Sequence, residues 1–213
     1  MEDDHPDPAV PAADWPLSGA DALRDELLAA YGDPARGYHD LTHLTAVLTR
    51  LDDLAAHGVE FDDLAVRLAA WFHDAVYDGE RDAEERSATW AELALAGVVD
   101  DDTVAEVARL ARMTETHTPA ADDANGCALS DADLGILAAD PATYAAYVAG
   151  VRADYRHVAD EDFVAGRTAV MSDLLDRERL FRTEHADRAW TEAARRNVRA
   201  ELATYRSAEA RTA

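Results

Sequence analysis

Residues 64–78 read LAVRLAAWFHDAVYD. As far as Phe72 the stretch is apolar apart from Arg67, with no alternation of polar and apolar positions. Alanine, leucine and valine at this density fit a helix buried on most of its sides. His73 and Asp74 then interrupt the run before Ala75, Val76 and Tyr77 resume it. A charged Asp in such surroundings is costly unless a bound cation or a partner arginine offsets its desolvation. The expectation is a central helix over about 62–77 that carries a polar pair in need of positive charge.

Outward from this stretch the chain keeps a helical character. Leu41, Leu44, Val47, Leu48, Leu51 and Leu54 follow the three-and-four spacing of one buried face, which predicts a helix over about 38–57 closed by Gly58. Ser18 is a plausible cap for a helix through Tyr31, which Gly32 and Pro34 would end. Further helices are expected near 82–96, 101–113, 129–138, 141–157, 161–177 and 184–206, with Asp140-Pro141 as a cap and first-turn pair. The longest loop, about 114–127, carries His117. Residues 1–16 hold four prolines among acidic and small residues and read as a disordered tail. Residues 17–210 read as one helical domain, and the fold class is all-α.

Bulk composition agrees with that class and narrows the partners. A chain of 213 residues with 48% hydrophobic and 30% charged content is globular and long enough for a sizeable core. Its net charge is −24, and all 20 basic residues are arginine. The missing lysine fits either a GC-rich coding bias or salt adaptation. So acidic a surface repels phosphate backbones and anionic lipid, which argues against duplex nucleic acid and membranes as partners. Cys127 is the only cysteine, so neither an intramolecular disulfide nor a cysteine-based zinc cluster is available. The opening MEDDHPDPAVPAADWP lacks a basic segment followed by an apolar one, and no apolar run reaches the ~18 residues of a membrane span. A cytoplasmic protein is expected.

The chemistry lies in three separated segments. His39 and His43 stand four apart on the expected second helix, so both would project from one face. His73 and Asp74 follow thirty residues on. Asp131 and Asp133 then interrupt the apolar run CALSDADLGIL (127–137). An isolated His pair at this spacing is usually surface decoration, and a lone His-Asp dipeptide says almost nothing. Together, in apolar contexts on separate helices, two imidazoles and two carboxylates suit a divalent transition metal better than calcium, which prefers oxygen alone.

At these residues the chain resembles the HD superfamily of metal-dependent phosphohydrolases, and more narrowly the bacterial HD phosphohydrolases of about 200 residues. The matching segments are RGYHDLTHL (36–44), WFHDAVYD (71–78), EERSA (84–88), TETH (114–117), SDADLGIL (130–137), VRADYRHV (151–158), GR (166–167) and ARRNVRAEL (194–202). Ala83 departs from the pattern, which generally has Asn there. The resemblance implies an HD-type helical bundle with a central buried metal site, and metal ligands His43, His73, Asp74 and Asp133. His43 is preferred to His39 because YHxxxH is also similar to the cyclic-nucleotide phosphodiesterase pattern, where the second His binds metal and the first protonates the leaving oxygen. Asp133 is preferred to Asp131 for its Ala-Asp-Leu context.

The implied reaction is hydrolysis of a small phosphate ester, possibly a nucleotide, by metal-activated water. The metal would be Mn, Mg, Ni, Co, Fe or Zn. His39 is the expected general acid, Glu84 a base, water-orienting group or second-metal ligand, and His117 a contact to phosphate or a second metal. Arg36, Arg152 and Arg167 are candidates for phosphate, since the guanidinium fork matches its oxygens; in so acidic a chain they could equally pair with neighbouring carboxylates. Arg195, Asn197 and Glu201 read as a structural polar cluster. A di-iron HD oxygenase is the rival enzyme, but its sites resemble a pattern with two more histidines between the HD pair and the last Asp, and only His117 lies there. A nucleotide-binding regulatory module is the non-catalytic alternative.

Overall fold

The computed structural model describes residues 14–79 and 81–212, and the first 13 residues of the expected tail lie outside them. Nine α-helices run in chain order among the described residues: α1 Asp21–Tyr31, α2 Leu41–Ala56, α3 Asp63–Phe72, α4 Ala83–Leu95, α5 Asp101–Met113, α6 Ala124–Leu134, α7 Pro141–Asp154, α8 Asp160–Asp176 and α9 Glu184–Thr212, with a 3₁₀ turn at Gly135–Ala138. No strand occurs among the described residues. The all-α expectation holds.

The apolar stretch is the centre of the molecule. From Ala65 to Phe72 every residue of α3 except Arg67 is buried, and α2, α4, α5 and α6 pack around it. Leu44, Val47, Leu48, Leu51 and Leu54 of α2 are fully buried, and Leu41 at its start is partly so. Arg67 reaches the surface at one edge, where it pairs with Asp63 at 2.7 Å and Asp52 at 2.5 Å. No single described helix is long and apolar enough to cross a membrane; α6 with its 3₁₀ turn and α7 reach that composition only as a pair bent by 107°.

Several boundaries differ from expectation: α7 ends at Asp154 rather than 157 and α9 runs on to Thr212 rather than 206, while in α3, α2 and α6 hydrogen bonding overrides the hydrophobic period. Helix α3 stops at Phe72 instead of continuing to 77, since the Arg36 guanidinium takes the carbonyls of Asp74 and Ala75, both at 2.8 Å, and Ser87 Oγ takes the Val76 N–H. Helix α2 starts at Leu41 rather than 38 because Asp40 caps the N–H groups of Thr42 and His43. Thus His39 precedes the helix and does not share a helical face with His43. Helix α6 starts at Ala124 rather than 129, capped by Asp123 on the Gly126 N–H, so the loop before it is shorter. Helix α1 begins after Ala20, and Ser18 is not its cap. In the expected tail, Trp15 packs edge-on against Trp71 at 5.0 Å between ring centroids, so packed structure begins before residue 17.

Candidate metal centre

His43, His73 and Asp133 converge from three elements, the first turn of α2, the turn that ends α3 and the last turn of α6, with Asp74 set against both histidines. His43 Nε2 lies 3.1 Å from His73 Nε2, 3.2 Å from Asp74 Oδ2 and 3.2 Å from Asp133 Oδ1. His73 Nε2 lies 3.1 Å from Asp74 Oδ2 and 3.8 Å from Asp133 Oδ1. The donor atoms of His43, His73 and Asp133 all fall within 4.8 Å of one another. Both imidazoles are buried, at 2% and 1% exposure.

The far side of each ring shows what this convergence requires. His73 Nδ1 is 2.8 Å from the Ala70 carbonyl, which can only accept, so Nδ1 carries a proton and the ring, when neutral, points a lone pair from Nε2 into the cluster. His43 Nδ1 sits 3.0 Å from the Tyr38 hydroxyl. Two imidazole nitrogens and two carboxylates therefore face one another. Without added positive charge these electron pairs repel. Burial opposes ionising any of the four, yet the carboxylates hold both histidines above their usual range, His73 well above it. In return the histidines hold Asp74 and Asp133 well below the usual carboxylate range. A divalent cation meets the same demand without protons. Ligands at ~2.1 Å from an ion stand about 3.0 Å apart in an octahedron and about 3.4 Å apart in a tetrahedron, and most of the measured separations lie in that interval. The buried His/Asp cluster could hold a metal ion.

Asp131 does different work from its neighbour. Its carboxylate, 0% exposed, accepts the N–H groups of Arg182 and Thr183, both at 2.7 Å, and so fixes the entry to α9. That leaves Asp133 as the α6 carboxylate facing the histidines.

His39 stands beside the cluster in a separate frame. Its Nδ1 is 2.8 Å from Asp154 Oδ2, and its ring stacks on Tyr77 at 3.8 Å. Asp154 also accepts the backbone N–H groups of Gly37 and Tyr38. The contact depends on glycine: a Cβ at Gly37 would sit 2.2 Å from the Gly150 carbonyl, so only a bare backbone lets this loop lie on α7. Sequence reasoning missed Asp154. In the structure Asp154 ends α7, where the helix dipole disfavours a carboxylate, and its side chain is 3% exposed, neither of which an expected helix over 141–157 reveals. A buried acid at that end of a helix needs a partner.

His117 adopts φ 49°, an uncommon conformation for a residue with a side chain. Arg177 holds it there by donating to the His117 and Thr116 carbonyls. Its Nε2 lies 3.3 Å from Asp133 Oδ2 and its Nδ1 3.3 Å from Ser130 Oγ. Glu84, in the first turn of α4, lines a cleft of about 230 Å³ together with His39, Asp74, His117 and Asp133.

The three arginines divide. Arg36 donates to the carbonyls of His39, Asp74 and Ala75, joining the His39 loop to the His-Asp turn, and is spent on scaffold rather than offered to substrate. Arg152, against expectation, lies outside the cleft linings and binds Asp160 with the carbonyls of Tyr155 and Val158. Arg167 does line the cleft, but Glu201 pairs with it at 2.8 Å and it lies over the Tyr147 ring. Asn197 and Arg195 bind carbonyls, as structural residues would.

A second His/Asp group, Asp53 with His57 and His185, lies on the surface. His57 Nδ1 is 2.8 Å from the Asp53 carbonyl and so is spent on closing the end of α2. The chain matches no family model, no curated protein and no solved structure, so its function is read from its own residues.

Proposed function

We propose that this protein is a metal-dependent phosphohydrolase of the HD type, with one divalent cation held by His43, His73, Asp74 and Asp133. The observation that carries the reading is the buried convergence of two imidazole nitrogens and two carboxylates, with His73 held, when neutral, in the tautomer that turns its lone pair inward. A divalent ion there would polarise a phosphoryl oxygen and make water more acidic.

The remaining steps belong to the chain's own groups. Glu84, at the positive end of α4 and on the wall of the same cleft, would take the proton that water loses as its oxygen bonds to phosphorus. As the bond from phosphorus to the ester oxygen breaks, His39 gives a proton to the departing alkoxide. The products are an alcohol and inorganic phosphate. Asp154 orients the His39 ring, and stacking on Tyr77 fixes the ring plane. His117 steadies Asp133 from the cleft side.

The test is a panel of phosphate esters run on chelator-stripped protein refilled with Mn, Mg, Ni, Co, Fe or Zn. Phosphate release that depends on metal is the expected result. Stoichiometric metal with no ester hydrolysed by any form would overturn the reading.

A further inference from the structure

The cleft that opens onto His39, His117 and Asp133 has a volume of about 640 Å³, room for a drug-sized molecule. Its walls differ sharply from its mouth at the cluster. Ile136 and Leu137 from the 3₁₀ turn, with Met171 and Leu174 from α8, make an apolar side. Two arginines line it among the described residues, and both are already neutralised. Arg167 is held by Glu201 beneath Tyr147, and Arg177 by Asp173 and two carbonyls. Glu115 adds a further negative charge to the lining, on a chain of net charge −24.

From this charge distribution we infer that the substrate is a phosphate monoester whose alcohol portion is uncharged and predominantly apolar; the inference rests on the phosphohydrolase reading above. One phosphate is satisfied at the cluster. A second phosphate or a carboxylate on the organic portion meets no unpaired cation in the cleft, loses its water, and faces Glu115. An apolar body instead covers the exposed Val170 and the half-buried Leu134, backed by the buried Ile136, Leu137, Met171 and Leu174, and so leaves water on contact with apolar wall. The reaction is the one written above: water's oxygen bonds to phosphorus, the ester bond breaks, and the neutral alcohol leaves with a proton.

The experiment compares kcat/KM for three aryl esters on the Mn-loaded, full-length protein: phenyl phosphate, 2-naphthyl phosphate and 4-carboxyphenyl phosphate, with a nucleoside diphosphate as a polyanionic competitor. The expected order puts 2-naphthyl phosphate at least about 10-fold above phenyl phosphate and 4-carboxyphenyl phosphate below both. Val170 is 55% exposed on the cleft wall, so Val170→Arg should stay folded and raise the 4-carboxyphenyl to 2-naphthyl ratio about 10-fold. Hydrolysis that favours the carboxylated or polyphosphate compound, or a ratio unmoved in Val170→Arg, overturns the apolar-substrate inference while leaving the phosphohydrolase reading intact. Full metal with none of the esters hydrolysed overturns both.

Discussion

Arg36 donates to the main-chain carbonyl of Asp74 at 2.8 Å, so a residue from the loop before α2 fixes the backbone of a metal-ligand candidate 38 positions later. The same guanidinium takes the carbonyls of His39 and Ala75 and rests over the Tyr31 ring. It turns the end of α3 away from helix and aims Asp74 at the histidines. Arg36→Ala should therefore cost about 2–4 kcal/mol in unfolding free energy, since hydrogen bonds from a charged donor are worth about 1.5–3 kcal/mol each and their losses do not add fully. Metal affinity should fall ~10–100-fold, the usual cost of losing an outer support. Denaturant unfolding and metal titration check both numbers. Arg36→Lys should rescue little, because an ammonium cannot span three carbonyls in one plane.

The neighbours Asp131 and Asp133 should separate cleanly on mutation. Asp131→Ala strands two N–H groups at the entry to α9, at roughly 1–3 kcal/mol each, and should keep its metal. Asp133→Ala removes a donor from the cluster and should lose metal while staying folded. Thermal unfolding beside elemental analysis distinguishes them; metal loss in Asp131→Ala with full retention in Asp133→Ala would reverse the assignment.

The contrast between these two aspartates shows what the sequence can carry. The leucine face of α2 and the apolar run of α3 were legible because burial imposes a period on them, and the all-helical class follows. Charged residues set in apolar surroundings single out His39, His43, His73, Asp74, Asp131 and Asp133, but the choice of His43 over His39 and of Asp133 over Asp131 comes only from the resemblance to the HD superfamily. The turn that holds His73 and Asp74 was not legible, because it is made by Arg36 from outside the local sequence. Asp154 was hidden for a related reason: its partners Gly37, Tyr38 and His39 lie more than 110 positions away. Arg36 and Arg152 read as phosphate ligands because the sequence shows their charge but not the carbonyls that occupy them.

Asp154→Asn tests the frame around His39. Burial pushes the Asp154 carboxyl up, but His39 and the N–H groups of Gly37 and Tyr38 outweigh it and hold the pKa below the usual carboxylate range. A depressed carboxylate stabilises the fold above its unfolded pKa of about 3.9, and that contribution is lost as pH falls through the folded value. The wild type should accordingly lose more stability than Asp154→Asn as pH drops below about 4, measured by denaturant unfolding at stepped pH. At neutral pH, Asp154→Asn should keep its metal and slow turnover, since the amide holds the His39 ring less firmly than the carboxylate at 2.8 Å from its Nδ1. Equal acid sensitivity of the two proteins would show that Asp154 has no such role.

The last prediction concerns His39 itself. It sits beside the cluster with its Nδ1 held by Asp154, and its ring centroid is 5.6 Å from that of His43. That position suits proton delivery to a leaving oxygen better than a share in holding metal. Loss of a general acid costs about 10²–10⁴-fold in rate, but only where the leaving group needs the proton. His39→Ala should keep near-stoichiometric metal and lose most of its turnover on an alkyl phosphate. On a nitrophenyl phosphate, whose phenolate departs unprotonated, the loss should be far smaller. Because two substrates are compared on one variant, unfolding or metal loss would depress both alike and is recognised at once. Metal lost from His39→Ala would move this histidine into the ligand set. Equal slowing of both substrates with metal retained would leave the ring a positional role and require another source for the proton.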